Sequence, residues 1–178
     1  TGGSVHGHDL AWLKTHLLPT DDSVRIVDVS SSYCCVGLWG PKAEAVLQSL
    51  TQIDVSKSAF GFFTNRSFHI GNIPVLASRV SYVGEEGWEI YALTESGLKL
   101  WDMLWAAGQD HGMVAAGMGA FDTLRLEKGF LLWGSDIHTE YSPYEAGLGF
   151  AVSSSKRDFI GKEALLQQQD YLSQKLCY

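Results

Sequence analysis

The stretch from Arg66 to Leu93 leaves this chain little choice of fold. Phe68 to Ile70, Val75 to Tyr82 and Trp88 to Leu93 are rich in β-branched and aromatic residues, and they are parted by Gly71-Asn72 and by Gly84-Glu85-Glu86-Gly87. Connections that short join only antiparallel neighbours, so a meander is expected. Pro74 has no amide to give to a ladder and is expected at a strand edge or start. Upstream, Arg25 to Ser30 and Tyr33 to Trp39 read as two further strands.

Helices are expected around this sheet. His8 to Leu17 places Leu10, Leu13 and Leu17 on one face, with Pro19 as its stop. Gly40-Pro41 opens a helix whose apolar residues are Val46, Leu47 and Leu50. Glu95 to Ala107 carries Leu98, Trp101, Leu104 and Trp105 at helical spacing, with Gly108 as the terminating glycine; Ala120 to Lys128 ends in the same way at Gly129. Ser142-Pro143-Tyr144-Glu145 has the form of a capping box, Gly147 to Val152 reads as a strand, and Asp158 to Gln169 as a last helix, with Gly161 near its start and Leu165 and Leu166 facing inward. The class is α+β, mostly antiparallel strands with flanking helices. With 178 residues, 46% of them hydrophobic, the chain can bury one sizeable core or two small lobes.

Several functions are excluded by what is missing. The formal charge is −7, from 20 acids against 13 Lys and Arg without a basic cluster, so nucleic acid is not an expected partner. No window of about 18 apolar residues occurs, and Thr1-Gly2-Gly3-Ser4 lacks a basic, apolar leader, so neither membrane insertion nor export is expected. Cys34, Cys35 and Cys177 form no C-x-x-C pair and are expected as reduced thiols, in a cytoplasmic or mitochondrial-matrix compartment. His6 and His8 have no further ligands beside them, so no metal site is expected. There is no H-E-x-x-H, G-x-S-x-G or phosphate-loop motif, and Gly117-Met118-Gly119, with Asp122 where a third glycine would sit, reads as a tight helix start. A start at Thr1 without Met, and an end at Leu176-Cys177-Tyr178 where a strand is about to begin, read as a piece of something longer.

Two stretches carry possible chemistry. In Arg79-Val80-Ser81-Tyr82-Val83-Gly84-Glu85-Glu86-Gly87-Trp88-Glu89-Ile90-Tyr91, strand alternation turns Trp88 and Ile90 inward and Glu89 outward. Glu89 is then either a solvated surface acid or a recognition group. A carboxylate accepts two parallel hydrogen bonds from the ring N–H and amino group of a pterin or guanine, and Tyr82 can stack on the same ring or donate from its hydroxyl. In Asp122 to Ile137 a helix runs into a Gly-bounded strand, with Arg125, Glu127 and Lys128 read as surface or ion-paired charges and Trp133 as core.

These two stretches, together with Gly37-Leu38-Trp39-Gly40-Pro41-Lys42-Ala43, Pro143-Tyr144-Glu145-Ala146-Gly147-Leu148-Gly149-Phe150 and Asp158-Phe159-Ile160-Gly161-Lys162-Glu163-Ala164-Leu165, resemble the aminomethyltransferase family in family order from about His8 to Gln169. That family includes the T-protein of the glycine cleavage system and the folate-binding regions of dimethylglycine and sarcosine dehydrogenases. The resemblance implies a cloverleaf of three lobes around a folate pocket. Residues 1–171 would form the second half of the folate-binding core, and 172–178 the start of a C-terminal barrel.

It further implies that Glu89 holds the pterin of tetrahydrofolate and Tyr82 lines its pocket. No catalytic residue falls in this chain, because the family's catalytic Asp lies upstream of the position matched by Thr1, as does the FAD domain of the dehydrogenases. Phe121 stands where T-protein-type members carry Arg, so the likeness runs towards the demethylating dehydrogenases. There a flavin oxidises a small N-methyl amine to an iminium and tetrahydrofolate captures the one-carbon unit as methylene-tetrahydrofolate. The alternatives within the family are a T-protein-like aminomethyltransferase, a folate-dependent demethylase and a non-catalytic regulatory scaffold. Alone, this piece is expected to be inactive and to self-associate through exposed edges.

Overall fold

In a computed structural model, which describes residues 5–18, 20, 23–169, 171–172 and 174–177, the frame is a four-stranded antiparallel sheet in the order β1-β4-β3-β2. The strands are β1 Tyr33–Trp39, β2 Asn65–Ile70, β3 Ile73–Ser78 and β4 Gly87–Leu93. The meander expected between Arg66 and Leu93 is present, with β2 pairing β3 along its whole length and β3 pairing β4 from Leu76 to Ser78. Pro74 is the second residue of β3, two residues before its pairing with β4 begins, so its missing amide breaks no bond to that neighbour. Gly87, opposite Trp39, starts β4 with φ 155°; a Cβ there would lie 2.0 Å from the Leu38 carbonyl oxygen, so only glycine lets the two strands meet.

Alternation sorts the sheet into two faces. One buries Leu38, Phe68, Ile70, Ile73, Val75, Ala77, Trp88, Ile90 and Ala92. It is covered by Val46 and Leu47 of α2 (Ala43–Gln48), by Leu100 and Leu104 of α3 (Gly97–Gly108), and by Val55 and Phe60 of the β1-to-β2 connection. The opposite face leaves Tyr33, Leu76 and Leu93 exposed among the described residues.

Two of the local signals for caps hold. Helix α4 (Met118–Glu127) ends in a Schellman turn, with the amides of Gly129 and Phe130 donating to the carbonyls of Leu126 and Arg125, each at 2.9 Å, and Gly129 at φ 68°. The capping box is reciprocal: the Ser142 amide donates to Glu145 Oε2 at 2.8 Å and the Glu145 amide to Ser142 Oγ at 3.2 Å.

Other expectations are corrected. Helix α1 runs His6–Thr15, and none of its residues is fully buried, Leu10 being half-buried and Leu13 exposed; Pro19, read as its stop, lies outside the described residues. Arg25 to Ser30 pairs with no strand among the described residues. Asp28 instead accepts the amide and hydroxyl of Ser30 and starts a 3-10 turn, Ser30–Ser32. The strand expected from Val75 to Tyr82 ends at Ser78. The helix opened by Pro41 begins two residues later, at Ala43.

In α3 the buried stripe is Leu100, Leu104 and Gly108, while Leu98 is 76% exposed and Trp101 and Trp105 are 45% and 37% exposed. The helix runs through Gly108 into a 3-10 turn, and the left-handed glycine that ends it is Gly112, φ 71°. Gly147 to Val152 is not a strand: Gly147 is left-handed and Gly149–Ala151 forms a 3-10 turn. Trp133 is 47% exposed, in a loop with one isolated bridge to Ile137 rather than in a core strand. Helix α5 (Lys162–Gln169) starts after a left-handed Gly161; Leu165 is half-buried and Leu166 exposed.

Candidate functional site

The site is built where β3 hands over to β4. Ile73, Val75 and Ala77 face the core, and the same period of two carries Arg79 onto the core side, 2% exposed. Its guanidinium donates to the carbonyls of Val55 and Phe60 at 3.1 and 3.0 Å and to Glu86 Oε2 at 3.2 Å, and it lies 4.8 Å over the Trp88 ring. Glu44 approaches the same nitrogen at 3.6 Å. Arg79 therefore ties the β1-to-β2 connection to the turn that launches β4. The sequence reading assigned it no role, although its place in the buried alternation was the available signal.

Beyond that turn, a cavity of about 510 Å³ opens against β1. Cys35, Gly37 and Trp39 form one wall, Trp101 and Trp105 of α3 another, and Phe121 of α4 a third; Glu89 of β4 completes it. Gly37 pairs opposite Glu89, and a Cβ on Gly37 would fall 2.1 Å from the Trp39 ring, so the indole folds back over the glycine. Trp39 is held there by its Nε1–H, which donates to the Val80 carbonyl at 2.9 Å. The Trp101 and Trp105 rings stand parallel, 6.4 Å apart. The result is a cavity walled by flat rings with a single carboxylate pair, Glu89 and Glu85, at its margin.

Glu89 is half-buried and accepts the Tyr91 hydroxyl at 2.5 Å. Burial, and then the bond to Glu89, push the Tyr91 phenol far above the ordinary tyrosine value. Burial, and next the Glu89 charge, likewise raise the Cys35 thiol. Tyr82 is placed differently. Its ring packs on Phe121 and Phe130, at 5.4 and 5.8 Å, its hydroxyl donates to the Leu131 carbonyl, and burial raises its phenol. Of the two residues singled out by sequence, Glu89 stands in the cavity wall and Tyr82 one layer behind it, buttressing Phe121.

The neighbouring Phe130 carbonyl accepts from Arg125, 3% exposed, which is also ion-paired to Asp122 and Asp136. Asp136 also accepts the Leu132 amide at 2.7 Å, and that bond, with Arg125, holds its carboxyl below the ordinary aspartate value of 3.8. A depressed folded value means that the stabilisation is present above 3.8 and is lost as pH falls through the lower folded value. Hydrogen exchange at the Leu132 amide, taken relative to the free peptide at the same pH, should therefore accelerate as pH falls below 3.8. In an Asp136→Asn variant it should be fast already at neutral pH and show no such acid step.

A second cavity, about 400 Å³ between Ser142, Glu145 and α5, contains neither sequence-singled residue. Among the described residues no group of three or more His, Cys, Asp or Glu is placed to hold a metal ion, and no helix is long and apolar enough to cross a membrane.

Residues 1–156 match the family model of the GCVT N-terminal domain. Mitochondrial dimethylglycine dehydrogenase of Mus musculus is 42% identical over 168 residues, 94% of this chain and 19% of that protein. The aminomethyltransferase of Halalkalibacterium halodurans is 43% identical over 162 residues, 91% of this chain and 43% of that protein. The chain thus spans less than half the length of either relative. Among solved structures, glycine cleavage system aminomethyltransferase T from Bartonella henselae superposes with a TM-score of 0.76 at 26% identity, over 94% of this chain and 44% of that one. The antiparallel sheet with its flanking helices and the matches at 42 and 43% identity lead to one assignment: this chain belongs to the GCVT N-terminal domain family, with aminomethyltransferases and dimethylglycine dehydrogenases as its relatives.

Proposed function

We propose that this chain is the part of an aminomethyltransferase-type enzyme that holds a reduced folate, in a protein of the dimethylglycine or sarcosine dehydrogenase kind. The observation that carries the reading is the Glu89 carboxylate, half-buried in the wall of a 510 Å³ cavity that the rings of Trp39 and Phe121 also line. The residues fit the group. The volume lies within the ordinary range for small-molecule sites, the walls are aromatic, and the carboxylate is an acceptor for the paired N–H donors of a pterin.

Bound there, a reduced folate supplies a nucleophilic amine that takes up a one-carbon unit. The chain's own residues contribute orientation and exclusion of water. Glu89 fixes the rotation of the ring, Trp39 and Phe121, packed on each other, give it an aromatic wall, and Tyr82 braces Phe121 from behind. The one-carbon donor is a small N-methyl amine or its iminium, formed at an FAD domain outside these residues, and the catalytic acid lies outside them too. Residues 1–171 then belong to the folate-binding core and 172–178 lead into a C-terminal barrel. The compartment is the cytoplasm or, in a eukaryote, the mitochondrial matrix.

A second reading is favoured by the 43% identity to an aminomethyltransferase: the same folate site serving a T-protein-like transfer. Phe121, an apolar wall residue packed on Trp39 and Tyr82, supports the dehydrogenase kind instead, since it offers no charge to an anionic carrier or substrate.

Calorimetry with folinic acid tests the site. Replacing Glu89 by Ala should cost about 2 to 3 kcal/mol, roughly a hundredfold in affinity. A variant that binds as tightly as the wild type would remove the folate reading.

A further inference from the structure

Glu89 does not stand alone. Residues 89 and 91 share one face of β4, and the Tyr91 hydroxyl donates to Glu89 Oε2 at 2.5 Å, at the short end of the range for a bond to an ionised acceptor. The β1 partners in register are Gly37 opposite Glu89 and Cys35 opposite Tyr91. On the β1 side, therefore, the carboxylate stands opposite a glycine covered by the Trp39 indole, while the phenol stands opposite a thiol. The terminal torsion of a glutamate is broad, so an untethered carboxylate samples many orientations about its last bond. One hydrogen bond to one oxygen ends that freedom.

We propose that Tyr91 is the positioning residue for Glu89, its hydroxyl fixing the plane of the carboxylate that meets a flat, two-donor ligand in the cavity; this rests on the folate reading of Glu89. An ionised carboxylate offers about four acceptor sites. Tyr91 takes one, which leaves enough for two parallel N–H donors. The phenol is a dedicated donor: burial, the bond to Glu89 and the neighbouring Cys35 all resist its ionisation. Orientation of the carboxylate is thus settled before the ligand arrives, which removes an ordering cost from binding.

The test is a double-mutant cycle in the full-length protein, with Tyr91→Phe, Glu89→Ala and the pair, read by folinic acid affinity with melting temperature as the control for folding. Tyr91→Phe keeps the ring and loses the hydroxyl. It should bind roughly tenfold more weakly in the wild-type background, and change affinity by less than about twofold once Glu89 is Ala. Labelling tyrosine Cζ with carbon-13 adds a spectroscopic signature: the resonance missing from Tyr91→Phe belongs to Tyr91, and it should move in Glu89→Gln.

If Glu89→Ala loses affinity while Tyr91→Phe binds like the wild type, Tyr91 does not position Glu89 and the folate reading stands. An equal loss from Tyr91→Phe in both backgrounds marks a role in the fold alone and overturns the proposal. A Tyr91 resonance that stays put in Glu89→Gln overturns the pairing itself. If Glu89→Ala binds unchanged, the folate reading falls and this proposal falls with it.

Discussion

Arg79→Met lowers the stability of the fold by about 3 kcal/mol. Two buried carbonyls, of Val55 and Phe60, lose their donor, at about 1 kcal/mol or more each. The attraction between the guanidinium and the Trp88 ring, worth about 1 to 2 kcal/mol when shielded from water, is lost as well. Relief from desolvating a buried cation offsets part of this, so the figure stays below the sum of the gross bonds. Glu86 and Glu44 are exposed enough to return to water and add little. Arg79→Lys recovers less than half, because one ammonium cannot span carbonyls 5 residues apart in sequence and reach Glu86 in the same plane. Urea denaturation followed by tryptophan fluorescence measures both, and a Met variant within about 1 kcal/mol of the wild type contradicts the account.

Trp88→Ala costs about 3 to 5 kcal/mol, the largest loss expected from any single side chain here. Trp88 is fully buried, faces Phe60 at 6.1 Å and floors the Arg79 guanidinium. Its Nε1–H has no hydrogen-bond partner among the described residues. Trp88→Phe consequently removes volume and an unsatisfied donor together, and should cost well under half as much as the alanine change. The double variant Arg79→Met/Trp88→Ala should be less destabilised than the sum of its parts by about 1 kcal/mol, since the contact between the two is counted in each single change. Additivity within error would mean that the guanidinium and the indole do not interact.

What was legible in the sequence is what local interactions decide. The capping box at Ser142 and the Schellman turn at Gly129 close within six residues, so their atoms are fixed by neighbours in the chain whatever surrounds them. The meander from β2 to β4 follows from a period of two and two short glycine turns, and with it the outward side of Glu89. Arg25 to Ser30 and Gly147 to Val152 have strand composition, yet a strand exists only as one side of a ladder and no partner lies beside them among the described residues.

Packing settled the rest. Helix α3 carries more apolar residues than one face holds, and the sheet took the Leu100, Leu104 and Gly108 stripe, leaving Trp101 and Trp105 to wall the cavity. Arg79 can be buried because two carbonyls 24 and 19 residues upstream are brought to it, which no local pattern announces. The same holds at the site. Chemistry and alternation pick out Glu89 as a carboxylate on the free side of β4, but the rings that wall its cavity come from β1, α3 and α4. The packing of the β3-to-β4 connection against α4 also put Tyr82 behind Phe121. Residue type and period act over a few positions and are written in order along the chain; a cavity is made by elements far apart in it, and exists only once they have packed.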